Sequence, residues 1–224
     1  MLEDDIYLIP VRIEECDVPE RLRDFHWVDL FEHGGFERLV KALKIGMERL
    51  GLGPPIQLRA KPLDKLEIRE VERMLYQKDF YCLDFNIRGN GLRNMFDFVK
   101  RDKEKVIVDH ITGLTWQQAA SKDKLTSKDA ASYIQRLNSE KYAGYNDWRL
   151  PTLEEAMSLM EKKTKNGLHI SPIFDLNFTG WEGMGRYIWT ADKGHHKCWM
   201  VDFLDGCCCF NLTPSRKFHV LAVR

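Results

Sequence analysis

Apolar positions recur along this chain with two spacings, and each predicts a different kind of element. The run Ile6-Tyr7-Leu8-Ile9-Pro10-Val11-Arg12 reads as a short buried strand, and Pro10, with no amide hydrogen to give, places it at a sheet edge or strand end. Val18-Pro19-Glu20-Arg21-Leu22 opens a loop or short helical turn. Phe36, Leu39, Val40, Leu43, Met47 and Leu50 keep helix spacing, which predicts a helix after Gly34-Gly35, closed by Gly51, Gly53, Pro54 and Pro55. Residues 54–62 read as a linker. Leu66, Ile68, Val71, Met74 and Leu75 predict a second amphipathic helix over 66–77, and Asn90-Gly91 marks a turn. Val106-Ile107-Val108 and Leu114-Thr115-Trp116 predict a hairpin around a turn at 109–113. Ser127 suits the N-cap of a helix reaching Leu137. After an irregular segment over 142–149, Thr152 caps a helix over 153–162, with Glu155 at the capping-box position. From Tyr187 the pattern becomes short strands over 187–191, 197–204, 207–212 and 218–223. Helices followed by an antiparallel meander predict an α+β fold.

Pairing in the last hairpin follows from its turn. Asp205-Gly206 suits a two-residue type I′ turn, which sets Leu204 opposite Cys207, Phe203 opposite Cys208, Asp202 opposite Cys209 and Val201 opposite Phe210. Side chains alternate, so Trp199, Val201, Phe203, Cys208, Phe210 and Leu212 share the core face. Cys198, Met200, Asp202, Leu204, Cys207, Cys209, Asn211 and Thr213 share the other, a mixed face unlike an ordinary solvated one. The expected ligand surface is therefore an exposed patch of His195, His196, Lys197, Met200, Cys207, Cys209, Asn211, Ser215, Lys217 and His219. Its mixed polarity suits a protein or glycan partner.

Charge and cysteine usage narrow the setting. Lys+Arg and Asp+Glu number 34 each in 224 residues, so the balance gives no case for a nucleic-acid or membrane partner. Residues 1–53 hold 7 basic and 12 acidic side chains, a net of −5, leaving +5 for the rest; this asymmetry predicts two units. Glu14, Glu15, Glu20 and Glu37 read as solvated surface acids. The acidic opening Met1-Leu2-Glu3-Asp4-Asp5 is unlike a secretory leader. Three of the six cysteines are consecutive, unlike a spaced disulfide framework, so reduced thiols in the cytoplasm are expected.

Chemistry-bearing residues offer little for catalysis. His195, His196, Cys198, Cys207, Cys209 and His219 resemble zinc ligands by type, but the pairing above separates Cys198 from Cys209 by four positions, roughly 13 Å at strand rise. Zinc needs its ligands within about 2.3 Å of one point, and no metal or other cofactor is expected. The same separation disfavours a copper-cysteine oxidase site. There is no G-x-S-x-G and no phosphate cradle, since Gly89-Asn90-Gly91 lacks a lysine and a helix. Asp147, Trp148 and Arg149 read as a loop-holding set, and Asp109-His110 as a turn. No enzymatic activity is expected.

Two resemblances extend this reading. Residues 105–224 carry Val108-Asp109-His110-Ile111-Thr112-Gly113-Leu114-Thr115-Trp116, Asn146-Asp147-Trp148-Arg149-Leu150-Pro151-Thr152, Tyr187-Ile188-Trp189-Thr190-Ala191, Trp199-Met200-Val201-Asp202-Phe203 and Leu221-Ala222-Val223-Arg224. These resemble the Lcl C-terminal domain family, which implies a C-type-lectin-like module over 63–224 used for ligand binding. Relatives include surface adhesins and the variable proteins of diversity-generating retroelements, whose contact residues are rewritten near the C-terminus. Cys207-Cys208-Cys209, Pro214-Ser215-Arg216-Lys217 and Leu221, where the family usually has arginine, depart from the pattern and fit such rewriting. Residues 1–53 resemble the C-terminal part of a TIR domain through Leu8-Ile9-Pro10-Val11-Arg12, Val18-Pro19-Glu20-Arg21-Leu22 and Trp27-Val28-Asp29-Leu30-Phe31. That implies attachment or self-association. The family's nucleotide-contacting loop and catalytic glutamate have no counterpart in this stretch, so NAD cleavage is not carried over to it; the alternative reading is a piece of an NAD-cleaving effector with the lectin-like domain as its sensor.

Overall fold

The computed structural model describes residues 10–17, 20, 27–49, 55–101, 103–176, 187–195, 197–211 and 216–224, with the backbone alone for 44–49 and 211. The expected strand residues 6–9 and the segment 18–19 and 21–22 lie outside this set, as do His196, Leu212 and Ser215. The chain divides into two compact units, Met1–Pro55 and Ile56–Arg224.

In the first unit, strand β1 (Val11–Arg12) pairs in parallel with β2 (Val28–Asp29), and helix α1 (Gly35–Arg49) follows. Arg12 grips Asp29 through two hydrogen bonds, the Nη2 arm at 2.7 Å, and that pair holds the Asp29 carboxyl below its usual range. Gly35 is required by packing: a Cβ there would lie 2.0 Å from the Asp29 carbonyl oxygen.

The second unit is a mixed α+β domain. Helix α2 (Ile68–Gln77) precedes an antiparallel sheet of β3 (Phe96–Arg101), β4 (Glu104–Asp109) and β5 (Thr115–Gln117). Helices α3 (Ser127–Ser139) and α4 (Leu153–Ser158) then lead to a second antiparallel sheet of β6 (Tyr187–Gly194), β7 (Lys197–Asp202) and β8 (Cys207–Asn211). Caps define the helix starts. Thr126 accepts the Asp129 amide for α3, one residue earlier than expected, and Thr152 and Glu155 form the expected capping box of α4. All six residues of α4 are buried. It ends at Ser158 rather than 162, because Leu159 and Met160 leave the helix to enter the core, both fully buried.

Segment 56–62 does not hang free as a linker. Ile56 donates to the Ile111 carbonyl at 2.6 Å, and Arg59 clamps the fully buried Asp192 with both guanidinium arms at 2.8 Å. Asp192 also accepts the amides of Leu63 and Leu153, so one carboxylate ties this segment, β6 and the start of α4 together.

The β6–β8 sheet departs from expectation in register. Asp202 pairs with Cys207, Val201 with Cys208, Met200 with Cys209 and Trp199 with Phe210, a shift of two residues. The cause is Asp202, whose Oδ1 accepts the Leu204 amide at 2.7 Å and the Asp205 amide at 3.3 Å, while Gly206 donates to its carbonyl at 3.0 Å. An aspartate that captures amides ahead of it builds its own turn, and the longer turn lets Phe203 bury completely. A two-residue shift preserves side-chain parity, so Trp199, Val201, Cys208 and Phe210 stay on one face and Cys198, Met200 and Cys209 on the other, whereas Cys207, expected with the second group, packs in the cluster of Phe203 and Cys208.

The expected last strand is instead a threaded segment. Val220 and Ala222 pack into one cluster with Trp148, Trp189, Met200 and Phe218. Leu221 and Val223 pack into another with Trp116, Trp199, Val201 and Cys208. Backbone bonds pass in turn to Ser121, Gln117, Arg149 and Thr115. Burial on both sides leaves no solvent face and no single strand partner.

Candidate ligand-binding site

The triple-cysteine hairpin does not present an open face. Met200 is 2% exposed, Cys207 9% and His219 5%, which contradicts the expectation that these three lie in a solvent-facing patch. The physical reason is that β6–β8 has a core layer on each side. The Trp199–Val201–Cys208 face meets α2 and α4, and the Met200 face is capped by Trp148, Trp189 and Phe218. Cys209 is half-buried on that second face. His196 and Ser215 lie outside the described residues, as does the side chain of Asn211. His195 and Lys217 are exposed and Lys197 is half-buried.

Burial also decides the thiol chemistry. It pushes the Cys198 and Cys207 thiols up, and Cys209 up to about 12. Cys208, hydrogen-bonded to Cys82 at 3.8 Å and itself buried, is held protonated as well. A protonated thiol is neither nucleophile nor metal ligand at neutral pH. The new register brings Cys198 within two positions of Cys209, closer than the sequence suggested. Even so, no three His, Cys, Asp or Glu groups converge as a metal site among the described residues. His219 is an internal brace: its Nδ1 bonds the Ser121 carbonyl at 2.7 Å, and burial lowers its pKa.

The Asn146–Thr152 stretch likewise holds structure. Arg149 pairs bidentately with Glu155 at 2.6 and 2.7 Å, and Asp147 pairs with Arg224 at 2.8 Å. The indole of Trp148 donates to the Tyr142 carbonyl at 2.9 Å.

Of the accessible residues of the expected patch, His195 and Lys197 come together at one edge of the sheet, and Lys217 is not among the residues around them. His195 and Lys197 line a notch of ≈ 80 Å³ with Leu66, Glu67, Ile68, Gly194, Trp199 and Phe210. Its walls are fixed by bonds between the α2 entry and the β6–β7 connection. Leu66 donates to the Lys193 carbonyl at 2.7 Å, and the Trp199 indole donates to the Leu66 carbonyl at 3.0 Å. Phe210 meets Trp199 edge-on at 5.2 Å, and the Lys197 ammonium sits 4.1 Å from its ring centre. Glu67, Ile68 and Phe210 were absent from the sequence-based site. No local spacing announces that α2, over a hundred residues earlier, supplies one wall.

Two small sheets, three α-helices among the described residues and a rim notch define the second unit as a mixed α+β domain with accessible chemistry at a sheet edge. The chain belongs to the Lcl C-terminal domain family, whose model matches residues 105–224. No curated protein and no solved structure matches the chain.

Proposed function

We propose that this protein is a non-enzymatic ligand-binding protein on a C-type-lectin-like scaffold, and that it engages a protein ligand at the His195–Lys197–Phe210 notch. The observation that carries this reading is the notch itself, an apolar floor of Leu66, Ile68, Trp199 and Phe210 under a charged rim. Its ≈ 80 Å³ is well below the roughly 300 Å³ of small-molecule sites, so it suits one inserted side chain of a larger partner. Aromatic and cationic anchors of this kind dominate protein interfaces. The six unbridged cysteines fit a reducing, cytoplasmic setting, and no helix among the described residues is long and apolar enough to cross a membrane. If the C-terminus is diversified, rewriting should fall on His195, Lys197 and Lys217 and spare Met200, Cys207 and His219, whose burial limits tolerated change.

The test is selection of peptides from a displayed random library against the full chain. Binders should compete with one another and lose about tenfold in affinity, or 1.4 kcal/mol, on Ile68→Asp or Lys197→Glu. Binders indifferent to both changes would place the interface elsewhere.

A second reading concerns the first unit. Its parallel β1–β2 pair followed by α1, with Ile13, Phe31, Phe36 and Leu43 exposed, supports a TIR-like piece used for attachment or self-association, since parallel strands are ordinarily covered on both faces. Sedimentation of the full chain against a variant lacking residues 1–55 tests it. Equal masses per chain count would remove the self-association role.

A further inference from the structure

The β3–β4–β5 sheet ends on β3, which has no strand on its outer side among the described residues. Hydrogen-bond alternation decides which of its backbone groups are unused. His110 donates to the Met95 carbonyl at 2.9 Å, while Asp109 donates to the Leu114 carbonyl and Lys105 accepts from Gln118, both toward β5. Bonded positions alternate along an antiparallel pair, so Asp97, Val99 and Arg101 turn their backbone groups to β4. Those of Phe96, Phe98 and Lys100 point outward, and no backbone bond from a described residue outside the ladder reaches them. The side chains leave the same edge open. Asp97, Phe98, Lys100 and Arg101 are all exposed, Phe98 at 48%. An edge of this kind is a template for another strand.

The order of residues in β3 indicates which strand fits. A two-fold antiparallel pairing with a second copy sets outward-facing residues opposite one another, so few registers are open. Centring the axis on Val99 places it opposite Val99 of the second copy, and Asp97 opposite Arg101 on both sides of the axis. Phe98 and Lys100 then exchange amide–carbonyl bonds across the edge, with the ammonium in reach of the ring. Moving the axis to Phe98 sets Asp97 against Val99. Moving it to Asp97 or to Lys100 sets two carboxylates or two ammonium groups face to face, which is destabilising. Charged edges ordinarily keep other strands away. Here the signs are ordered so that a second copy of the same strand is the match. Asp97 bonds His110 at 2.8 Å and Arg101 lies over the Tyr145 ring at 4.9 Å, contacts that leave both side chains exposed.

We propose that this chain forms an isologous dimer through β3, paired antiparallel to itself about Val99, which joins the two three-stranded sheets into one. The edge shares no residue with the notch and none with the first unit, so its failure leaves both readings above untouched.

The experiment uses the full chain. Sedimentation equilibrium from about 1 µM to about 1 mM should show reversible self-association. Asp97→Arg and Arg101→Asp should each weaken it about tenfold, and the two together should restore it, because the swap recreates both opposite-charge pairs. Restoration separates a lost pairing from a misfolded variant. Register is read by mild oxidation of Val99→Cys and Phe98→Cys, each in a Cys16→Ser background, with linked peptides identified by mass spectrometry. Position 99 should link to its own copy rapidly, and position 98 should not, since it lies diagonal to itself at roughly 7–8 Å, beyond disulfide reach. A chain that stays monomeric throughout overturns the proposal. So does association untouched by both single changes, which would belong to another surface, or association that the swap fails to restore. Faster linking at position 98 than at 99 overturns it as well.

Discussion

At the scale of single residues, the side chains that looked most chemical turn out to be braces. His219 is the clearest. Burial disfavours its cation, so its folded pKa lies below the ordinary 6.5, and between those values the unfolded chain binds more protons. The stabilisation is therefore complete above about 6.5 and lost as pH falls toward the folded value. Urea midpoints measured across that window should fall with acidification in the native chain and fall less in His219→Gln. Glu155 is the other brace. It is 1% exposed and carries both the Arg149 pair and the Thr152 amide. Glu155→Ala should cost about 3 kcal/mol, the scale of breaking a buried pair, read by urea unfolding; a loss under about 1 kcal/mol would assign the pair no more than a surface bridge's worth. The sequence made the loop-holding role of residues 146–152 legible but not the pairing. Asp147 and Arg149 do not meet each other; they pair with Arg224 and Glu155, partners 77 and 6 residues away.

At the scale of elements, local signals were legible wherever the chain satisfies itself locally. The Thr152–Glu155 capping box, the helix over Ile68–Gln77 and the hairpin of β4 with β5 all rest on short-range patterns. Elements fixed by distant partners were not. Strand β3 has weak alternation and exists by pairing along the whole of β4. The register of β7 with β8 depends on whether Asp202 or Gly206 governs the turn, a competition that spacing alone does not decide. Gly206 still matters: at φ +69° a Cβ would meet the His169 ring at 2.8 Å, and that ring is stacked on Tyr81 at 5.3 Å. Gly206→Ala should lower the unfolding free energy by about 1 kcal/mol or more. An unchanged midpoint in thermal unfolding would mean the turn relaxes freely.

At the scale of the molecule, the two units differ in kind. The first is acidic and leaves several large apolar side chains exposed. The second stacks core on both faces of the β6–β8 sheet, threads 220–223 between the layers and confines accessible chemistry to rims. Sequence pattern could assign the two faces of the final hairpin but not that both are covered, because the covering residues come from α3, the 142–148 segment and the chain's last residues. A mixed face of cysteine, methionine and aspartate therefore reads as surface until its lid is seen. The chain's own cysteines report that burial. Native-state alkylation followed by mass spectrometry, normalised to the denatured chain, should label exposed Cys16 rapidly and half-buried Cys198 and Cys209 slowly. Cys82, Cys207 and Cys208 should react only as fast as the domain opens. Labelling of Cys207 at the rate of Cys16 would contradict the two-sided core and return the ligand surface to the hairpin face.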